Sequence, residues 1–239
     1  GVVWGGSPRR GHGDAMSDDD LEVLLTPEAF ARLAPVDSYD MERDPDADPP
    51  KLIYDAQLTS LAVLQSKAAS SRDLDHWPYE RSPILFDRDG AVTAAVRAAA
   101  VMAPAFRQAR LLHGALDTTL AIGRARKTGM RGFPAATAML VARGAKALSR
   151  VIFALEDRWV PLDHWLEPEL GTLADPVGAA PRLIQALVET RHEPLQAALE
   201  RLQPQLEAIG FPPAAQRATF FSEIMHADRA AERAVHGLN

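Results

Sequence analysis

Gly5-Gly6-Ser7-Pro8-Arg9-Arg10-Gly11, followed after a short gap by Ser17-Asp18-Asp19-Asp20-Leu21-Glu22-Val23-Leu24-Leu25, is the stretch on which the fold turns. A brief apolar run, Val2 to Trp4, leads into the glycine-serine turn, and an acidic cluster leads into a second apolar run. Glycine tolerates the turn and lets a ligand approach the backbone, while successive N–H groups and the Ser7 hydroxyl can form an anion nest. Asp18 and Asp20 stand two apart on an extended chain and so project from one face. Their oxygens can converge on one hard cation or straddle two. The pattern suits a nucleotide triphosphate held on backbone amides, with carboxylates gripping magnesium.

Working outward, Val2 to Trp4 and Asp20 to Leu25 read as strands, and Thr26-Pro27-Glu28 as a helix start capped by Thr26. Val36 to Met41 alternates weakly. Arg43 to Pro50, rich in Asp and Pro, reads as an exposed hairpin loop, and Lys51 to Ala56 as the returning strand. Thr59 or Ser60 can cap a helix through Leu61 and Leu64, and Ile84 to Asp87 is a short strand closed by Arg88-Asp89-Gly90. From about Ala91 the texture changes to alanine, leucine and arginine, with apolar residues at helical spacing in Ala147, Leu148, Val151, Ile152 and Leu155. Pro104, Pro134, Pro161, Pro181, Pro194 and Pro212 punctuate helix boundaries or connections. The expected fold is α+β: a small mixed sheet with flanking helices over residues 1–90, then an α-helical bundle over 91–239.

Composition narrows the function classes. The 239 residues are enough to bury a core, and 47% hydrophobic with 24% charged residues is ordinary for a globular protein. The absence of cysteine excludes disulfides and thiolate metal sites. A net charge of -6 argues against a nucleic-acid-coating surface, and no apolar run reaches membrane-spanning length. The expected location is cytoplasmic, without a membrane or nucleic acid as partner. The chain starts with Gly1 and a strand begins at once, so an N-terminal element is expected to precede it.

Gly6-Ser7-x-x-Arg10-Gly11 followed by Ser17-Asp18-x-Asp20-Leu21 resembles the signature of the nucleotidyltransferase superfamily that includes DNA polymerase beta and the antibiotic nucleotidyltransferases. The strand and turn Ile84 to Gly90 look like the segment closing the catalytic domain in bacterial members. Ala147 to Leu155, with Trp159 to Leu166, looks like the helix and turn of their helical domain. The resemblance implies that Gly6 and Ser7 bind the triphosphate, that Asp18 and Asp20 bind magnesium, and that a third acid comes from a later strand. Asp55, at the end of Lys51-Leu52-Ile53-Tyr54, is the candidate, and Arg10 is the candidate phosphate-contacting cation beside the turn. Asp19 departs from the pattern, because an apolar residue is usual there, and it is expected to point toward the core.

Nucleotidyl transfer is mostly positioning and charge neutralisation. Two magnesium ions would bind the attacking oxygen, the leaving pyrophosphate and a bridging phosphate oxygen. The implied reaction moves a nucleoside monophosphate, AMP from ATP, onto a hydroxyl of a small molecule received partly on the helical side. Asp55 is the candidate base beside its metal role, with Glu156 and Asp157 as second choices. The alternative is a catalytically silent nucleotide-binding regulatory or antitoxin-type protein. Trp4 and Phe86 read as core. Gly11 and Gly13 do not make a dinucleotide fingerprint, since Met16 stands where its third glycine belongs. An arginine-then-histidine spacing recurs at Arg107 and His113, Arg158 and His164, and Arg229 and His236, too freely to mark a ribonuclease site.

Overall fold

The computed structural model describes residues 1–226, which fall into two units. The first comprises 1–70 and 74–101, and the second comprises 71–73 and the chain from Met102 onward.

The short apolar and alternating runs of the first unit become strands β1 (Val2–Trp4), β2 (Asp19–Leu25), β3 (Tyr39–Asp44), β4 (Lys51–Ser60) and β5 (Ile84–Phe86). They form one mixed sheet in the order β3-β4-β2-β1-β5, with only the β2–β4 pair parallel. Helices α1 (Pro27–Phe30), α2 (Leu61–Lys67) and α3 (Ala91–Ala100) complete the unit. Period-two alternation sends Leu24 and, through the pair Val3↔Glu22, Val3 to one face of the sheet. There they meet Leu64 of α2 and Val92, Ala95, Val96 and Ala99 of α3 in one core. Each of the valines and leucines contributes roughly 1.5–3 kcal/mol by leaving water, the alanines less. Ser60 ends β4 and caps α2, its hydroxyl accepting from the Val63 amide at 3.4 Å. Asp87 caps α3, accepting from the amides of Gly90 and Thr93 at 3.0 and 2.8 Å.

Several boundaries differ from the sequence reading. Pro35 to Asp37 form a 3-10 turn, so β3 begins only at Tyr39. Strand β4 runs on to Ser60 because β2 pairs with it as far as Leu25↔Ser60. Phe86 is not core: it is 53% exposed on the short edge strand β5, whose Ile84 packs on the core instead. Helix α3 packs into the core of the sheet, so the first unit runs past the composition change near residue 90 to Val101.

The second unit contains α4 (Pro104–Met130), α5 (Pro134–Leu155), α6 (Leu166–Leu170), α7 (Ala179–Glu189), α8 (Glu193–Glu207) and α9 (Arg217–His226). Proline occupies the first turn of α4, α5 and α8, where its missing N–H costs nothing. Helices α4 and α5 are antiparallel: Arg107 near the start of α4 donates to the Ala154 and Leu155 carbonyls at the end of α5, at 2.7 and 3.0 Å. Fully buried Arg110 lies against the rings of Phe106 and Trp159, with centroids 4.8 and 5.1 Å away, and pairs with Asp73. The fold is α+β, a mixed sheet with flanking helices followed by a helical region. Among the described residues no helix is long and apolar enough to cross a membrane.

Candidate functional site

The glycine-serine turn emerges directly from β1. Gly5 donates to the Asp20 carbonyl at 2.7 Å, tying the turn to the start of β2. Gly6 has φ +85°, a left-handed conformation that favours glycine, and a methyl group there would overlap Asp20 Oδ2. The Asp20 carboxylate therefore lies over the bare backbone of the turn. A 3-10 helix, Ser7–Arg10, follows.

The approach to β2 is fixed locally. The Asp14 carboxylate accepts from the Met16 amide at 2.8 Å and from the Ser17 hydroxyl at 3.1 Å, while Ser17 Oγ accepts from the Asp14 amide at 2.9 Å. These are side chain–backbone closures of the kind that set turns. They hold Asp14 below its ordinary pKa, chiefly through the Met16 amide. Asp18 leaves this turn just before β2 begins, half-buried.

In the parallel ladder Asp20 stands opposite Asp55, so the two share a face and neighbouring strands. Burial pushes the Asp20 carboxyl up to about 6, helped by the charges of Asp18, Asp55 and Asp19 in that order. Burial and the Asp18 charge also raise Asp55. Every charge acting on these two groups is another carboxylate. Asp18, Asp20 and Asp55 thus sense one another, with Gly6 beneath Asp20. The donor set fits a hard divalent cation, being all oxygen and mutually repelling. The three carboxylates are not drawn up to a single point: among the described residues, no three acids or histidines are gathered closely enough to hold an ion.

Two polar arrangements flank the acids. Asp19 does not enter the core: it accepts from the Trp4 indole N–H at 2.9 Å, across the β1–β2 pair, and Trp4 in turn carries the Arg9 guanidinium 3.4 Å over its ring. On the Asp20 face, Glu22 is bound by Lys67 at 2.9 Å and by the Tyr79 hydroxyl. Burial, then the Glu22 charge, push the Tyr79 hydroxyl well up, keeping it a donor. A pocket of about 500 Å³ opens beside Asp18 and Asp19, lined also by Pro8, Ser17, Lys51 and Ile53. Asp20 and Asp55 do not line it.

Arg10 has a role the sequence does not show. It is buried, donates to the Trp77 carbonyl at 2.9 Å and to Glu80 at 3.2 Å, and lies 4.3 Å from the Trp77 ring centroid. Its guanidinium is engaged with the 3-10 helix Trp77–Glu80. The second-choice bases are also engaged. Glu156 accepts from the amides of Ala174 and Asp175 at 3.1 and 3.0 Å, and Asp157 pairs with Arg107 at 2.7 Å. Arg158 is held by Glu169 at 2.6 Å, while Arg229 and His236 lie outside the described residues. Sequence reading missed Trp77, Tyr79 and Glu80, and the aromatic-proline-aromatic-acid run that contains them is the one signal that marks them.

No protein-family model matches the chain, and no curated protein matches it. Among solved structures it is similar to a nucleotidyltransferase-like protein from Exiguobacterium sibiricum, at 14% identity and a TM-score of 0.45, over 87% of this chain and 68% of that one. At that distance function is read from the residues of the site alone.

Proposed function

We propose that this protein is a magnesium-dependent nucleotidyltransferase that moves a nucleoside monophosphate, AMP from ATP, onto the hydroxyl of a small molecule. The observation that carries the proposal is the seating of Asp20 over Gly6, with Asp55 opposite Asp20 in the ladder. One site so offers bare backbone for phosphate and carboxylates for cations. Magnesium, held by Asp18, Asp20 and Asp55, would supply charge neutralisation at the triphosphate. The amides of the Gly6-Ser7 turn would bind and orient phosphate oxygens, leaving the α-phosphorus accessible. The acceptor oxygen forms its bond to the α-phosphorus, the bond from that phosphorus to the bridging oxygen breaks, and pyrophosphate leaves. Asp55, beside its metal role, would take the hydroxyl proton.

The test incubates the full chain with magnesium, ATP labelled at the α-phosphate and a panel of hydroxylated small molecules. The expected result is pyrophosphate release and a labelled adduct with at least one acceptor. Asp18→Ala and Asp20→Ala should lose this by about a hundredfold or more, as removal of a transition-state charge contact does. Equal nucleotide binding by wild type and both variants, with no pyrophosphate from any acceptor, would overturn the proposal in favour of a silent nucleotide-binding protein.

A further inference from the structure

The segment from Trp77 to Pro83 touches the glycine-serine turn on both sides. Before the turn, the Trp4 amide donates to the Pro83 carbonyl at 2.9 Å. After it, Arg10 reaches the Trp77 carbonyl and Glu80, and its guanidinium lies on the Trp77 ring. Gly5 and Gly6 lie between these two anchors and are free of side chains. A turn built of two glycines has more backbone freedom than any other sequence would give it, yet binding phosphate on amides demands that their directions be set in advance. The nearly buried Arg10–Glu80 ion pair adjoins this turn in the chain.

We propose that Arg10 and Glu80 form a positioning pair for the phosphate-binding turn: Arg10 holds the Ser7–Arg10 helix against Trp77–Glu80 and does not itself bind phosphate. The inference rests on the proposed triphosphate site. It makes recognition of the nucleotide's phosphates a matter of backbone amides, with Arg10 acting through the turn.

The experiment compares wild type, Glu80→Gln, Arg10→Gln and the double variant by titration of magnesium-ATP and by amide hydrogen exchange without nucleotide. Glu80 bonds Arg10 at 3.2 Å and is neither part of the turn nor one of the acids assigned to the cation, so a change there reads the pair without removing a proposed ligand. Glu80→Gln should weaken magnesium-ATP binding about tenfold, and the double variant should bind no more weakly than Arg10→Gln alone, as coupled neighbours do. Exchange at residues 6–11 should quicken in all three variants, because local opening is what the pair suppresses. The proposal is overturned if Glu80→Gln matches wild type in both measurements, or if Arg10→Gln loses affinity with exchange at the turn unchanged. A wild type that binds no magnesium-ATP removes the triphosphate site, while exchange still reports whether the pair holds the turn.

Discussion

Replacing Gly6 with alanine separates two costs that the structure places at one residue. Its φ of +85° makes any side chain strained, at about 1–2 kcal/mol. The new methyl would also overlap Asp20 Oδ2, and turning that carboxylate off its rotamer adds about 0.5–1.5 kcal/mol. Gly11 provides the control, because its φ is +81° but a methyl there meets nothing within 4 Å. Urea denaturation at neutral pH should show Gly6→Ala losing roughly 2–3 kcal/mol and Gly11→Ala roughly 1–2. Truncating Asp20 to alanine removes the overlapping oxygens and leaves its Cβ 3.4 Å from the methyl, an ordinary contact. In the Asp20→Ala background, Gly6→Ala should therefore cost no more than Gly11→Ala does, a coupling of about 1 kcal/mol. Equal losses for the two glycine variants, or an undiminished loss in the Asp20→Ala background, would refute the placement of Asp20 over the turn.

The acids should leave a signature in stability against pH. Asp20 binds its proton with a pKa of about 6 in the folded chain against an ordinary 3.8, so between those values the folded state holds more protons than the unfolded one. Its contribution to stability therefore falls as pH rises from about 4 to about 6 and is level above that. Thermal melts across that range should show the fall flattened by Asp20→Asn, and an unchanged slope in that variant would assign it elsewhere. In the second unit a methyl on Gly114 would stand 2.8 Å from Val151 Cγ2 and 3.2 Å from the Ala147 carbonyl. Gly114→Ala should cost about 1–3 kcal/mol in chemical denaturation through overpacking between α4 and α5, and a neutral result would mean that the two helices pack further apart.

What the sequence makes legible is local. The apolar run Val2 to Trp4, the alternation within Asp20 to Leu25, the caps at Thr26 and Ser60 and the prolines opening α4, α5 and α8 are written in short windows, and the elements form there. The site depends on longer reach. Asp55 is readable as an acid on a strand, but only the parallel register sets it beside Asp20. The fate of Arg10 is decided by Trp77 and Glu80, a separation at which no periodicity speaks. Asp19 breaks the apolar pattern of its strand, and its partner is the Trp4 indole on the neighbouring strand. Phe86 is apolar and yet exposed: β5 is a short edge strand whose register against β1 shifts, so that Ile84 pairs with the buried Val3 and Phe86 with Val2.

The most direct test of the central claim is manganese binding, followed by electron paramagnetic resonance, in place of magnesium and with a non-hydrolysable ATP analogue. Wild type should take up manganese together with the analogue, Asp20→Asn and Asp55→Asn should each weaken uptake, and Glu28→Gln, exposed on α1 beyond the far end of β2, should not. Wild-type protein that binds no manganese with or without the analogue would contradict it.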